Sequence, residues 1–442
     1  MGWRLMNRAR YLASFALATM AAWLVACGEA LPSEEPAPLL VTLPAATSGV
    51  TPTPTDEPPT PTLLPPSPVP TLPPTSPVLP LPEGIEGVRF LWEWGEVARP
   101  VALAPSENRL AVLIADGRFA WLDPASGQVE SNTFLWSGIL EGETEGEVYT
   151  DGTLAVAAFH EMSANPETGA ARSRSRLALF DASANERWSL PELDSQRFYS
   201  AALSPVAVIA GTWSHDLNTT NTLAAHDLFS GEALWEVSEQ GGGYRQIVHD
   251  GTRLYALLNE AEGATVACYD IRTGEELWRW TAPDTPRPHQ IALGEEGVYV
   301  LSVERVVALD PSRGEARWIT GFSADPEAWM GLYDGLLYLI PAPSVELGFR
   351  PGLVALRADT GELAWHTLNG SLVNPLAVGD DALWAIIRDF DEGVVALSGL
   401  ELTSGLERVR LDTGSEPQAL YRLVAQGRRV YVLGNHLQAY GY

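Results

Sequence analysis

Residues 225–235 read AHDLFSGEALW, and the same cadence returns as CYDIRTGEELW at 268–278, ALDPSRGEARW at 308–318 and ALRADTGELAW at 355–365. Looser copies are WLDPASGQVES at 121–131, LFDASANERW at 179–188 and SGLELTSGLERV at 398–409. The turn positions Gly127, Asn185, Gly231, Gly274, Gly314, Gly361 and Gly405 are separated by 58, 46, 43, 40, 47 and 44 residues. Within a unit, IVHDG, TRLYALLN, TVACYD and EELWRW follow one another and end at Trp280. Their alternating apolar positions, aromatic and β-branched enrichment, and Gly or Asp at the breaks spell four short strands. Four strands repeating at roughly 40–50 residues make one blade of a β-propeller.

The repeat has a mechanical logic. Its Asp bonds the backbone of its own turn, its Gly supplies a positive φ, and its Trp lies four residues on in the outer strand. There the ring can wedge against the neighbouring blade and bury about 150–250 Å². These Asp and Trp residues are therefore expected to be structural.

This pattern resembles the tryptophan-docking repeat of the PQQ-like, quinoprotein alcohol dehydrogenase-like propellers, across roughly residues 84–442. It departs where Asn185 replaces Gly, where Arg357 or Glu401 replaces the turn Asp, and where Ser131 or Val409 replaces the Trp. The two ends of the domain complete each other. RVYVLGNHLQAYGY at the C-terminus matches the middle strands of a unit, while GVRFLWEWGEVARP after residue 86 matches GEELWRWTAPDTPRP, aligning Trp92 and Trp94 with Trp278 and Trp280. The expected fold is all-β: an eight-bladed propeller of four-stranded antiparallel blades. Residues Arg89–Gly95 close a composite last blade beside Val430–Tyr440. Closure removes the sheet edges that an open stack would expose.

Ahead of the propeller, Arg4, Arg8 and Arg10 precede an apolar run from Tyr11 to Ala26 that ends Leu24-Val25-Ala26-Cys27-Gly28. This is the layout of a secretory signal peptide, residues 1–26. Its end resembles a bacterial lipobox, which implies lipidation of Cys27 and an extracytoplasmic chain anchored to a bacterial membrane, at the cell surface or in the periplasm. Residues 27–83 follow as a disordered Pro/Thr-rich linker, with 18 of the chain's 34 prolines between Pro32 and Pro82. Proline fixes its φ and cannot donate to a ladder, so an extended spacer is expected.

The chain has 442 residues, 56 acidic and 28 basic, and every basic residue is Arg. Without residues 1–26 and their three Arg, 25 basic against 56 acidic residues leave a formal charge of −31. Such a surface repels nucleic acid. The two cysteines, Cys27 and Cys268, allow neither a disulfide framework nor a four-thiolate metal site. PQQ enzymes of the resembled family pair adjacent cysteines against the cofactor, and no such pair exists here, so no cofactor and no catalytic residue is assigned. DTG at Asp359 and Asp412 reads as turn sequence. His160-Glu161 lacks the second histidine of a zinc-protease helix.

What remains is loop length. Long second-to-third-strand connections are expected at 160–175, 212–221, 341–351 and 388–393, against short ones at Ala115–Gly117 and Val303–Glu304. Long loops on a rigid scaffold are where propellers recognise partners. Trp213, His215, Asp216, Phe349, Arg350, Phe390 and Asp391 are the candidate partner-binding residues, and Arg172, Arg174 and Arg176 form a basic cluster on an acidic molecule. In anchor, fold and lack of cofactor residues the chain is similar to the propeller lipoproteins of the outer-membrane β-barrel assembly machine. The resemblance implies a non-catalytic scaffold or sensor whose partner is another envelope or extracellular protein. The competing reading is an exported oxidoreductase or other enzyme with a divergent site in the central channel.

Overall fold

The computed structural model describes residues 87–441 except 96–98, 137–142, 165–170, 195, 215–217, 242, 261–262, 283–289, 322–328, 341–351, 368–371, 390–393 and 414–421. Residues 1–86, on which the expected signal peptide, the expected lipidation at Cys27 and the expected linker fall, lie outside the described residues.

The described chain is all-β and arranged as eight antiparallel sheets built around four strands, consecutive in all but the closing sheet, with Leu193–Asp194 added as a fifth strand in blade 2. Blade 4 is representative: Tyr244–His249, Arg253–Glu260, Gly263–Asp270 and Glu276–Ala282, called A to D from the inside outward. Successive A strands pack against one another around the ring, as Arg197–Leu203 does against Tyr244–His249. Strands B and C are covered on both faces, which is why Leu110–Ile114 and Val298–Leu301 are apolar throughout and buried throughout. Outer strands such as Val129–Phe134 and Ala316–Gly321 alternate with solvent.

The ring closes as the two ends of the domain imply. Arg89–Trp94 is the outermost strand of blade 8, paired antiparallel with Leu437–Gly441 in register Trp94↔Leu437 to Arg89↔Gly441. Trp92 and Trp94 join one apolar cluster with Leu110, Val112 and Ala120 of blade 1 and Tyr431, Leu437 and Ala439 of blade 8.

The tryptophans wedge between blades, and the register shows how. The indole N–H of Trp235 donates to Ile271 O at 3.0 Å, that of Trp278 to Pro311 O at 3.0 Å, that of Trp318 to Ala358 O at 3.0 Å and that of Trp365 to Leu402 O at 3.1 Å. Each acceptor is the residue after the turn-acid position of the following blade, which Arg357 occupies in blade 6. Trp92 does the same across the closure, donating to Pro124 O at 3.1 Å. Each ring lies on the turn glycine of that blade: a Cβ added at Gly274 would stand 2.6 Å from the Trp235 ring. Glycine is therefore required twice over, for its φ of 72° and for the close approach. Five turn acids, Asp123, Asp181, Asp227, Asp270 and Asp310, accept backbone N–H bonds within their own turns. At Asp227 and Asp270 those bonds hold the carboxyl below the usual range.

The departures from the repeat resolve locally. In blade 2 the left-handed residue is Ala184, φ 60°, rather than Asn185, because the turn is one residue tighter. Where Arg357 or Glu401 replaces Asp, the backbone bonds Gly361 N–H to Arg357 O and Gly405 N–H to Glu401 O persist at 2.8 Å. Where Ser131 replaces Trp, Trp121 of strand C takes over, its indole donating to Asp181 O at 2.9 Å. Beyond Val409 the next blade turns tightly through Gly434–His436, with Gly434 N–H bonded to His436 O.

Candidate functional site: the channel mouth

In a four-stranded meander the start of A, the end of B, the start of C and the end of D share one face of the ring. Three of the four long connections expected on that face are shorter than the sequence suggests, and the fourth, 341–351, lies outside the described residues. Residues 160–164 and 171–175 are not loop but a continued B–C hairpin, paired out to Ala164↔Ala171. Likewise Thr212-Trp213 and Thr220-Asn221 are strand, as are Arg388 and Asp389. The strands run past the ring into segments too polar to read as strand from apolar blocks alone. The connections at 115–117 and 302–304 are short, as expected.

Of the candidate partner residues, Trp213 is placed and the others, His215, Asp216, Phe349, Arg350, Phe390 and Asp391, lie outside the described residues. Trp213 ends strand B of blade 3 and packs at the channel mouth. Its ring lies 5.7 Å from that of Tyr199, and the Arg197 guanidinium sits 4.4 Å from the Tyr199 ring and 4.6 Å from the Trp213 ring. Arg197 also pairs with Glu145 of blade 2 at 3.3 Å, leaving its side chain 16% exposed. An arginine gripped by a carboxylate and two rings is held in one rotamer.

The acid comes from Glu143–Thr150, the A strand of blade 2, whose period-two pattern puts Glu143, Glu145, Glu147 and Tyr149 on one face and buries Thr144, Gly146 and Val148 on the other. Burial pushes the Glu147 carboxyl up, opposed by the Tyr149 hydroxyl, which donates to its Oε2 at 2.6 Å, and by the charge of Arg422. Arg422 starts the A strand of blade 8 and donates to Gly146 O at 3.2 Å, so three blades meet here. They enclose a cavity of about 90 Å³ lined by Glu145, Glu147, His160, Arg197, Tyr199 and Arg422. Small-molecule sites usually run to about 300–1,000 Å³, so this space suits a side-chain tip rather than a cofactor.

Sequence reasoning missed Glu145, Glu147, Arg197 and Arg422, which come from three different blades, the last of them at the far end of the chain. The readable signal was the acidic alternation in EGETEGEVY, which no packed inner strand needs. Two members of the basic cluster, Arg174 and Arg176, are structural. Arg174 bonds Glu161, whose side chain is 1% exposed, and lies 4.7 Å over the Trp136 ring, while Arg176 pairs with Glu186 at 2.8 Å. Arg172's side chain lies outside the described residues. Asp359 sits in the blade 6 turn.

Cys268 lies in strand C of blade 4, fully buried among Tyr255, Val266, Trp278 and Val307, facing the next blade rather than the channel. Desolvation pushes its thiol up to about 12. It has no adjacent cysteine, so the residues present do not fit a cysteine-paired quinone. A folded chain treated with N-ethylmaleimide at pH 7.5 should leave Cys268 unmodified, and addition of denaturant should expose it to full labelling, as read by peptide mass mapping.

The family model described as outer membrane protein assembly factor BamB matches residues 164–332. No curated protein matches the chain. Among solved structures, BamB from Moraxella catarrhalis superposes with a TM-score of 0.55 at 16% identity, over 80% of this chain and 98% of that one. A quinohemoprotein alcohol dehydrogenase from Pseudomonas putida HK5 gives 0.56 at 11% identity, over 80% and 76%. The computationally designed Ika8 protein gives 0.57 at 15% identity, over 80% and 99%. At these identities the likeness is one of fold.

Proposed function

We propose that this PQQ-like propeller, similar to BamB, is an exported, non-catalytic scaffold that binds another envelope protein through the channel mouth, carried on a lipid at Cys27 and the Pro/Thr-rich spacer. The observation that carries the reading is the rim of Arg197, Tyr199 and Trp213, set among Glu145, Glu147 and Arg422. Tyr, Trp and Arg are the residues that anchor protein interfaces when a rigid frame presents them, because little rotamer freedom remains to be lost. The match to an assembly factor supports the same reading. The −31 charge of the exported chain favours basic or cation-bridged partners, and makes acyl chains rather than electrostatics the attachment to anionic lipid. The fold shared with a quinohemoprotein alcohol dehydrogenase supports the competing reading, an oxidoreductase with a divergent channel site.

Site-specific photocrosslinking in cells separates the two. A crosslinker placed at Tyr199 should trap one defined envelope protein, and the adduct should fall at least about fivefold in Arg197→Ala or Trp213→Ala chains that melt like the parent. A crosslinker at Leu277, on an outer strand, should trap none. Equal adducts from both positions, or quinone-dependent alcohol oxidation by the purified chain with PQQ and Ca²⁺, would overturn the scaffold reading.

A further inference from the structure

The opposite face, where the A–B and C–D turns emerge, carries a second feature. The turn bonds Ser106 N–H to Arg109 O, Asp250 N–H to Arg253 O and Gly294 N–H to Gly297 O, at 2.7, 3.1 and 3.0 Å, place Arg109, Arg253 and Gly297 at the same point of blades 1, 4 and 5. From that point Arg109 donates to Ala182 O in the C–D turn of blade 2 at 2.5 Å and lies 5.7 Å over the Trp121 ring. Arg253 reaches Pro311 O in the C–D turn of blade 5 at 3.5 Å. Each guanidinium thus bridges the gap to the next blade.

Gly297 has no side chain to do so. Between blades 5 and 6 a cleft of about 580 Å³ opens, lined by Glu295, Glu296, Asp334 and Asp359 together with Arg357, Tyr299 and Leu332; Glu296 is paired with Arg317 at 3.5 Å. Three carboxylates beyond the Glu296–Arg317 pair, outnumbering Arg357 and set beside an aromatic ring and an aliphatic side chain, favour a cation that is flat and weakly hydrated, which describes a guanidinium better than an ammonium.

We propose that this cleft takes an arginine side chain from a partner polypeptide, in the place that Arg109 and Arg253 fill from within the chain. The inference rests on the scaffold reading only in that the occupant is a polypeptide. It concerns the face opposite the channel mouth, so the two can fail separately.

The test titrates the purified full chain with a fluorescein-labelled Gly-Ser-Arg-Ser-Gly peptide, followed by polarisation, beside the same peptide carrying citrulline or lysine. The arginine peptide should bind saturably and the citrulline peptide at least roughly tenfold more weakly, with lysine between them. Gly297→Arg fills the cleft from inside: a Cβ there would stand 3.3 Å from the Tyr299 ring, a contact that a small shift relieves. This variant should lose at least about tenfold in affinity and melt no lower than the parent, whereas Leu277→Arg, which adds the same charge on an outer strand, should bind as the parent does. Asp334→Asn combined with Asp359→Asn should weaken binding severalfold; Asn tolerates the φ of 46° that Asp334 adopts. Equal binding by Gly297→Arg and the parent, equal binding of arginine and citrulline or lysine peptides, or no saturation would overturn the proposal. Should Gly297→Arg fail to fold, the Asp334/Asp359 pair decides alone.

Discussion

A chain that begins at Gly95 should melt about 10 °C or more below the full chain and elute as oligomers. The missing segment, Arg89–Trp94, is the outer strand of blade 8. Its loss removes Trp92 and Trp94 from the cluster that welds blade 8 to blade 1, and takes Trp92 off Gly127. Truncating one buried tryptophan typically costs about 3–5 kcal/mol, and a ladder of backbone bonds goes with it. It also leaves Leu437–Gly441 as a bare edge, which pairs with other chains. Differential scanning calorimetry and size-exclusion chromatography read both effects. The complementary change is Glu93→Cys with Gln438→Cys: these residues are register partners, and the Gln438 amide donates to the Glu93 carboxylate at 2.9 Å. A disulfide there should raise the melting midpoint by locking a ring otherwise shut by non-covalent pairing. A truncated chain that melts and elutes like the parent would disprove the closure.

Trp278→Ala should cost about 3–5 kcal/mol, more than any substitution of a solvent-facing residue on an outer strand. Trp278 is 9% exposed, its indole donates to Pro311 O, and its ring covers Gly314 so closely that a Cβ there would lie 2.4 Å away. Removing it opens a cavity between blades 4 and 5 and takes a donor from the turn carbonyl. Gly314→Ala attacks the same contact from the other side, adding a methyl into the ring and a strained φ of 70°. Both variants remove one interface, so their combined cost in urea should fall well short of the sum. Leu277→Ala, beside Trp278 but 45% exposed, should change stability by less than about 1 kcal/mol. Additive losses in the double variant would mean that ring and turn act independently.

The repeat carried the ring because it is a local code: turn, positive φ and tryptophan all lie within eleven residues, and the period that separates copies is the length of one blade. The two half-blades at the ends were legible for the same reason, since each is a recognisable fragment of that code. The candidate site was legible only in Trp213. Its neighbours Arg197, Glu145 and Arg422 carry no shared motif, because what joins them is the angular order of inner strands around a channel.

The amino-acid order alone thus determined the strand pattern, the count of blades and the means of closure, since each depends on contacts between residues a few positions apart or on copies of one unit. Tertiary structure decided the rest. It turned expected loops into extended hairpins, gave the turn glycines their second reason as the floor beneath a tryptophan, and brought charges from three blades to one channel mouth. It also left a cleft between blades 5 and 6, because whether a gap between blades is filled depends on the side chains of two units at once.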